Sequence, residues 1–351
     1  MPTPPLRAAV IGLGVGARHL AAYESEPRCT VVALCDIDER RLQDVARTRP
    51  GCRTSVDASD VLCAPDIDVV SIASYDTDHG EQVVGAIEAG KHVFVEKPLC
   101  LHDDEFRRIE AAMRAHPDVQ LSSNLVLRRA PQFVRLKSRV ASGDLGRLFY
   151  LEGDYQYGRV DKITEGWRGR IPFYSVTHGG AIHLIDLALW LTGGRVHDVV
   201  AAGNQIATTG SQFRFPDMVT ALLRFDDGMT AKISANFGCV HPHAHGLAVY
   251  GTKGSFVHDL QGGAYYRSRD PGTPPEVTQG AYEHDANGDV LRSFIARILN
   301  GTPGLVSAGD VLDAMAVSLA VERSLRTGRW EQVQYAYLPQ SMDARVVTEF
   351  R

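Results

Sequence analysis

The chain has 351 residues, more than one hydrophobic core usually supports, so two domains are expected. Its 37 basic and 42 acidic residues give a formal net charge of -5, and no basic cluster dominates a segment, which argues against nucleic acid as a partner. The six cysteines are not spaced for a zinc site, and no window approaches the roughly 18 consecutive apolar residues of a membrane span. The N-terminus does not resemble a signal peptide, so a cytoplasmic protein without a membrane partner is predicted.

In the first third of the chain, short apolar runs rich in β-branched residues alternate with helical patterns. This alternation predicts a parallel, doubly wound sheet of the Rossmann type, an α/β fold. The predicted strands are 7–12, 30–35, 67–73 and 91–95, with helices from the glycine-rich turn to about residue 24, from about residue 38, near 80–89 and near 102–115.

After about residue 145 the pattern changes to longer segments that alternate between apolar and polar residues. They predict a large, mainly antiparallel sheet, with a hairpin turn at 226–228. The predicted domains are therefore a Rossmann domain, 1–123, and a C-terminal α+β domain, 124–351. Helices cover one face of such a sheet, so the other must meet solvent or another subunit, and a homodimer or homotetramer through this open face is predicted. The predicted elements of this domain are strands 148–155, 219–225, 229–235 and 247–250, an apolar helix 181–191, and amphipathic helices near 286–300 and 307–326.

The turn after the first strand matches the dinucleotide-binding pattern G-x-G-x-x-A. Gly12 permits the tight turn, Gly14 lets the backbone approach a pyrophosphate, and Ala17 allows close packing of the following helix. Asp36 ends the second strand, where a carboxylate accepts hydrogen bonds from the adenosine ribose hydroxyls. The same carboxylate would repel a 2′-phosphate, so NAD is favoured over NADP, although two arginines at 40 and 41 follow closely.

With these and further motifs, the chain resembles the glucose–fructose oxidoreductase/inositol dehydrogenase (Gfo/Idh/MocA) family almost end to end. The resemblance implies an NAD(H)-dependent oxidoreductase acting on a secondary alcohol or ketone of a sugar, nucleotide sugar or cyclitol. The motifs that carry it are Gly12-x-Gly14 with His19, Asp36, Ser71-Ile-Ala-Ser74 with His79, Ala89-Gly-Lys-His-Val, Glu96-Lys97-Pro98, Ser142-Gly-Asp-Leu-Gly146, His183-Leu-Ile-Asp186, Tyr250-Gly-Thr-Lys-Gly254 and Ser324-Leu-Arg-Thr-Gly328.

The resemblance also implies the catalytic residues. Lys97 would hydrogen-bond the reacting oxygen and relay its proton, and His183 would be the acid or base that faces the substrate, with Asp186 in support. Many family dehydrogenases carry Asp-x-Gly-x-His before this helix, whereas this chain has Gly179 at the Asp position. His178 is the candidate to replace the missing carboxylate.

The remaining site predictions follow from position in the family pattern. The cofactor is expected to contact Gly12, Leu13, Gly14, Val15, Asp36, Ile37, Ser74, Tyr75, His79, Glu96, Lys97 and Asn124. The substrate is expected to contact Lys97, Arg128, Tyr157, Arg159, Trp167, Arg168, His178, His183 and His243, and Lys162 lies on the same loop as several of these.

Three histidines, 241, 243 and 245, have strand spacing and are expected to point to one face of the sheet. That arrangement is compatible with a metal, but hydrogen bonding to substrate is favoured, because the family reaction needs no metal. For the predicted substrate contacts on the loops, the alternative is a purely structural role in holding the loop.

Two other functional classes stay open. The missing carboxylate is compatible with a non-catalytic NAD(H)-binding sensor. An enzyme with tightly bound NAD that performs redox-assisted elimination or glycoside cleavage is the other alternative.

Overall fold

Apolar strand segments and amphipathic helical segments alternate through the first 125 residues. The helical segments connect successive strands, so that all the strands run parallel in one sheet. The computed structural model describes residues 4–278 and 288–337. The elements of this part are β1 Leu6–Ile11, α1 Ala17–Glu24, β2 Cys29–Cys35, α2 Glu39–Ala46, β3 Arg53–Ser55, α3 Ala58–Leu62, β4 Val69–Ile72, α4 Asp76–Glu88, β5 His92–Val95, α5 Asp103–Ala115 and β6 Leu121–Ser123.

These six strands form one parallel sheet in the order β3-β2-β1-β4-β5-β6. The order reverses between β1 and β4, and ligands of open α/β sheets bind outside the carboxyl ends of the strands at such a point. Val10, Val70 and Phe94 are fully buried in the strands, as expected for a sheet covered on both faces. The predicted Rossmann architecture is confirmed.

The rest of the chain builds a larger sheet with helices. Its elements are a 3₁₀ turn Val126–Arg129, α6 Pro131–Ala141, β7 Leu148–Gln156, α7 Asp161–Thr164, a 3₁₀ turn Trp167–Gly169, a π-helical turn Thr177–Ala181, α8 Ile182–Thr192, β8 Val196–Asn204, β9 Met218–Phe225, β10 Thr230–Asn236, β11 Ala244–Gly251, β12 Ser255–Asp259, β13 Gly262–Tyr266, β14 Glu276–Thr278, α9 Asp289–Asn300, α10 Ala308–Thr327 and β15 Glu331–Gln332.

The nine strands β7 to β15 form a mixed sheet in the order β14-β13-β12-β11-β7-β10-β9-β8-β15. The predicted antiparallel character is confirmed for every pair but one: β7 and β10 are parallel at the centre, because the chain leaves the sheet after β7 and returns through α8, β8 and β9. The predicted hairpin at 226–228 joins β9 to β10.

One face of this sheet carries the core of the C-terminal unit. In α8, Leu184, Ile185 and Leu187 are fully buried, and on β7 the residues that alternate inward, such as Leu151 and Tyr155, are buried with them. The residues between them on β7 are half-buried and polar. This sheet therefore has a covered apolar face and an uncovered polar face, as the alternating sequence predicts.

Contacts within the chain divide it differently from the sequence prediction. Of the described residues, one unit contains 4–125, 288–312 and 336–337, and the other contains 126–278 and 313–335. Helix α9, which was predicted to belong to the C-terminal domain 124–351, belongs to the N-terminal unit. Its Phe294 packs on Phe94 of β5, with 5.8 Å between the ring centroids. A residue-by-residue pattern identifies an amphipathic helix but does not identify the sheet that buries it.

Within the part of the chain that the structure describes, no helix has the length and apolar character needed to cross a bilayer.

Candidate active site

The glycine-rich turn between β1 and α1 is held tightly against the end of β4. Gly12 has φ +84°, and a Cβ there would lie 2.2 Å from the carbonyl oxygen of Ala73. A Cβ on Gly14 would instead meet no heavy atom within 4 Å. Gly12 is therefore required by the turn itself, whereas the space over Gly14 is open for a ligand to approach the backbone.

Gly16 is a structural requirement of the glycine-rich turn that the sequence motif did not reveal. A Cβ at this position would lie 2.1 Å from the carbonyl oxygen of Gly12. The pattern G-x-G-x-x-A allows any residue at this position, so the need for glycine becomes clear only from the backbone geometry of the turn.

Asp36 lies at the carboxyl end of β2 with only 4% of its surface exposed. Its carboxylate accepts hydrogen bonds from the backbone N–H groups of Leu13, at 2.7 Å, and Asp38, at 2.8 Å. Arg41 also reaches it, with Nη1 3.2 Å from Oδ2. These contacts fix the carboxylate beside the glycine-rich turn, and they place Arg41 in an ion pair with Asp36.

The neighbouring predicted cofactor residues are more open. Val15 is 49% exposed and Ile37 is 71% exposed, so both present apolar surface beside the turn. At the end of β4, the hydroxyl of Ser74 donates to Gln82 Oε1 at 2.7 Å, and Tyr75 precedes α4.

Glu96 follows β5 and is the centre of a polar network. Its Oε1 accepts a hydrogen bond from Asn124 Nδ2 at 2.7 Å and lies 3.2 Å from Nε2 of His19. Burial alone raises the pKa of this carboxyl, but the contacts with His19, the nearby Lys97 ammonium and the Asn124 amide outweigh it and lower the pKa to about 2. Glu96 is therefore an anion at neutral pH, within electrostatic range of Lys97.

Lys97 is half-buried just after β5, and the residue that follows it, Pro98, contacts a side chain of α4. His79 is 1% exposed, and its Nδ1 lies 2.6 Å from the carbonyl oxygen of Pro98. The structure thus groups five predicted residues of the N-terminal unit, His19, His79, Glu96, Lys97 and Asn124, around the carboxyl end of β5.

In the C-terminal unit, His183 lies in the first turn of α8 and is 7% exposed. Its ring stacks with Tyr155 at 6.3 Å and meets His245 edge-on at 5.9 Å. Tyr155 was not predicted, although its position on β7, two residues before Tyr157, places both rings on one face.

Asp186 and Arg128 form a buried ion pair behind this cluster. Asp186 is fully buried and Arg128 is 4% exposed, with Nη2 of Arg128 2.6 Å from Oδ1 of Asp186 and Nε 3.1 Å from both carboxylate oxygens. Arg128 was predicted to contact substrate. The geometry pairs its guanidinium with Asp186 inside the protein, and the substrate contact stays a prediction.

His178 has no exposed surface, and its Nδ1 lies 2.7 Å from the hydroxyl of Ser318 on α10. Its backbone N–H donates to Ser175 Oγ. His178 therefore lies in a buried polar environment, and its role in place of the missing carboxylate stays a prediction.

Gly179, where the family pattern has a carboxylate, is closely covered. A Cβ there would lie 2.3 Å from the hydroxyl oxygen of Tyr174, whose side chain is 2% exposed. Since a buried tyrosine has little freedom to move, this position accepts no side chain without repacking. The packing of Tyr174 against Gly179 therefore excludes the aspartate that the family pattern has at this position.

The rings around Tyr155 continue towards the surface. Tyr157 stacks on Tyr155 at 5.8 Å, and His243 and His245 approach Tyr155 edge-on at 5.3 Å and 4.7 Å. His241 does not join them, because its Nδ1 turns to the carbonyl of Pro242 at 2.7 Å. The prediction that all three histidines share one face is therefore wrong for His241, which lies on the opposite face of the sheet with Asp154 and Gln156 of β7.

Among residues 4–278 and 288–337, no group of three His, Cys, Asp or Glu side chains is arranged to hold a metal ion.

Comparison with known proteins connects both units to one group of enzymes. Residues 6–124 match the model of an oxidoreductase family with an NAD-binding Rossmann fold, and residues 133–257 match the GFO/IDH/MocA C-terminal domain. The uncharacterized oxidoreductase YrbE of Bacillus subtilis (strain 168) is 30% identical over 265 residues, which cover 73% of this chain and 74% of that protein.

Similarity also extends over nearly the full length of other relatives. The scyllo-inositol 2-dehydrogenase (NAD(+)) of Bacillus subtilis (strain 168) is 27% identical over 92% of this chain and 95% of its own. The crystal structure of myo-inositol 2-dehydrogenase from Lactobacillus plantarum has a TM-score of 0.79 and 24% identity, covering 94% of this chain and 100% of that one. The structural likeness supports the fold.

Proposed function

Because the chain belongs to the Gfo/Idh/MocA family of oxidoreductases, as its motifs predicted, we propose that Lys97 and His183 are its catalytic residues. The protein is an NAD(H)-dependent oxidoreductase that acts on a CH–OH group of a sugar, nucleotide sugar or cyclitol. The observation that carries the proposed roles is the polar group at the end of β5, where Lys97 follows the anionic Glu96.

The residues of the N-terminal unit fit NAD. The open space over Gly14 admits a pyrophosphate to the backbone, and the fixed carboxylate of Asp36 is suited to accept from ribose hydroxyls. We assign cofactor binding to the residues predicted above: Gly12, Leu13, Gly14, Val15, Asp36, Ile37, Ser74, Tyr75, His79, Glu96, Lys97 and Asn124. When bound, NAD supplies the hydride acceptor or donor for the CH–OH group.

The protein must handle the proton that accompanies hydride transfer. In the oxidation direction a neutral Lys97 amine would accept the hydroxyl proton and become an ammonium, and in the reduction direction the ammonium would return that proton to the carbonyl oxygen. Glu96 stabilises the ammonium form of Lys97, because its low pKa keeps a negative charge near Lys97 at neutral pH. His183, in a nearly dry ring cluster, is the second proton carrier, because an imidazole ring can both donate and accept a proton.

The test is NADH absorbance with the purified full chain, NAD⁺ or NADP⁺, and a panel of inositols, free sugars and nucleotide sugars. We expect a selective signal with NAD⁺. Binding of NAD⁺ without NADH formation or any change in the substrates would contradict the dehydrogenase assignment and support a sensor. Substrate conversion without NADH accumulation would point to the tightly bound cofactor mechanism.

We also propose that copies of the chain associate through the uncovered face of the nine-stranded sheet, as a homodimer or homotetramer. On this face Leu222 of β9 is 42% exposed, and Tyr150 of β7 stacks on Tyr250 of β11 at 5.9 Å. Light scattering after size exclusion, with Leu222→Glu beside the native chain, tests the assembly. The cytoplasmic location stays a prediction.

A further inference from the structure

Three elements of the N-terminal unit converge on the side chain of Glu96. His19 comes from α1, Asn124 follows β6, and Glu96 itself follows β5. Nε2 of His19 lies 3.2 Å from Oε1 of Glu96, and Nδ2 of Asn124 donates to the same oxygen at 2.7 Å. Asn124 is a predicted cofactor contact, but His19 has no role in the mechanism proposed above.

The chemistry of the His19–Glu96 pair decides which residue donates. Glu96 is an anion at neutral pH, and a carboxylate without its proton only accepts hydrogen bonds. Nε2 of His19 therefore carries the hydrogen and donates it to Glu96. The side chains are 5% and 14% exposed, respectively, so water competes little for this hydrogen bond.

This hydrogen bond orients the His19 ring. Nδ1, the other ring nitrogen, is buried and has no hydrogen-bond partner among residues 4–278 and 288–337. The ring also meets Phe94 edge-on, with 5.3 Å between the centroids, but a ring contact of this kind does not specify where the two nitrogens point. The His19 ring and the Glu96 carboxylate therefore hold one another in place.

His19 is also tied to the cofactor-binding turn. Helix α1 begins at Ala17, directly after that turn, and the backbone N–H of His19 donates to the carbonyl of Gly16 at 2.9 Å. Gly16 in turn lies against Gly12, because a Cβ on Gly16 would come within 2.1 Å of the Gly12 carbonyl oxygen. The pyrophosphate of a dinucleotide binds at the N-terminus of such a helix. His19 thus connects the turn to the residue that precedes Lys97.

The effect of His19 on Glu96 is electrostatic as well as geometric. Burial raises the pKa of the Glu96 carboxyl, and the hydrogen bond from His19 is the strongest of the contacts that lower it. The charge of a protonated His19, the Lys97 ammonium and the Asn124 amide lower it further. Without His19, burial would favour the neutral carboxylic acid, which can donate a hydrogen bond and so turn away from its present partners.

We propose that His19 is a positioning residue for Lys97. Its hydrogen bond holds the Glu96 carboxylate in one orientation beside Lys97, and its backbone ties that carboxylate to the cofactor-binding turn. Lys97 and the cofactor then meet the substrate in a fixed relation, which proton and hydride transfer from one CH–OH group requires. This inference rests on the proposed function, because Lys97 is the proton carrier there.

The first experiment separates the hydrogen bond from the ring. His19→Gln retains an N–H donor and loses the ring, whereas His19→Phe retains a ring beside Phe94 and loses the donor. With the full chain, NAD⁺ and the substrate that turns over fastest in the panel above, we expect kcat of His19→Phe to fall about 10–100-fold, with small changes in substrate KM and NAD⁺ affinity. His19→Gln should recover most of this loss.

The control is Leu20→Ala, which opens a cavity at a fully buried position of the same helix. It should lower Tm and leave kcat near its native value, because Leu20 has no hydrogen bond to offer Glu96. Thermal melts and NAD⁺ affinity show that each variant is folded.

Two further measurements test whether His19 acts through Glu96. In a double-mutant cycle, His19→Phe combined with Glu96→Ala should lose no more kcat than Glu96→Ala alone. Carboxyl ¹³C NMR follows the contact without a substrate. Glu96 should stay ionised from roughly pH 7 to 3 in the native chain, and it should take up a proton within this range in His19→Phe.

Native kcat in His19→Phe, equal losses in the Phe and Gln variants, or losses that multiply in the double variant would overturn the inference, as would a Glu96 carboxyl that stays ionised in His19→Phe. Lys97→Ala, assayed beside these variants, keeps the two proposals apart. Undiminished turnover in Lys97→Ala refutes the proposed function, whereas lost turnover there with native kcat in His19→Phe refutes the role of His19 alone.

Discussion

The two candidate regions of this protein are held by different forces. At the end of β5, polar groups are fixed by short hydrogen bonds, such as Asn124 to Glu96, and by the backbone. Around Tyr155, rings are held by stacking, and the buried ion pair of Arg128 and Asp186 lies behind them. A cofactor shared by many proteins is suited to the first arrangement, which backbone geometry specifies. Selection of one substrate is suited to the second, where side chains alone decide the shape.

The largest expected effect is a loss of stability at Arg128, and it distinguishes a structural role of this residue from a contact with substrate. Arg128→Leu removes the ion pair with the fully buried carboxylate of Asp186, which should destabilise the fold by about 3–5 kcal/mol. Urea denaturation measures it, and Arg129→Leu in the same 3₁₀ turn is a neighbouring control. Native stability with a raised substrate KM would return Arg128 to the substrate site and weaken the contrast between the regions.

The next effect concerns Glu96 and pH. Because the pKa of Glu96 is about 2 in the folded chain and about 4.3 in an unfolded one, the carboxylate stabilises the fold above about pH 4. This contribution, up to about 3 kcal/mol, is lost as the pH falls towards 2. Glu96→Gln should therefore flatten the dependence of Tm on pH between 6 and 2.5 in thermal melts at roughly half-unit steps. Parallel curves for the two proteins would show that Glu96 is not held as an anion.

A smaller effect distinguishes the two glycines of the turn. Gly12→Ala forces a left-handed residue against the Ala73 carbonyl and should cost at least about 1–2 kcal/mol. Gly14→Ala meets open space, so its Tm should stay near that of the native chain while its affinity for NAD falls. Thermal melts and calorimetry with NAD⁺ measure the pair. Equal losses of stability in both variants would show that the turn, and not the ligand, requires Gly14.

The smallest effect tests how Lys97 is positioned. His79→Ala removes the contact with the Pro98 carbonyl, and we expect kcat to fall about tenfold, or about 1.4 kcal/mol, with a small change in substrate KM. A pH profile of kcat supplies a second reading, which a merely structural loss would not shift. His79→Asn, which retains a polar group, should recover part of the rate. Unchanged kcat and pH profile in His79→Ala would exclude a positioning role.

Much of the N-terminal unit could be predicted because its constraints are local. The turn at Gly12 to Ala17 and the carboxylate 24 residues after Gly12 follow directly from strand, turn and helix patterns. The sequence also identified the main antiparallel strands, since alternation is a property of a single strand.

The rest depended on distant pairing. Arg128 and Asp186 are 58 residues apart, and His178 and Ser318 are 140 apart. No periodicity links such positions, so the pairing of Arg128 with Asp186 and of His178 with Ser318 could not be predicted from the sequence. The strand β8, which begins Val196-His-Asp, was not predicted. Polar residues interrupt its apolar run, and only its pairing with neighbouring strands identifies it as a strand.

The central claim is that Lys97 carries the proton in an NAD-dependent dehydrogenase. The most direct measurement is the rate of NADH formation by Lys97→Ala, with NAD⁺ affinity measured on the same sample and Lys253→Ala, an exposed lysine, as the control. The account predicts that kcat falls about 10²–10⁴-fold while NAD⁺ still binds and the control is unaffected. Native turnover in Lys97→Ala would contradict it.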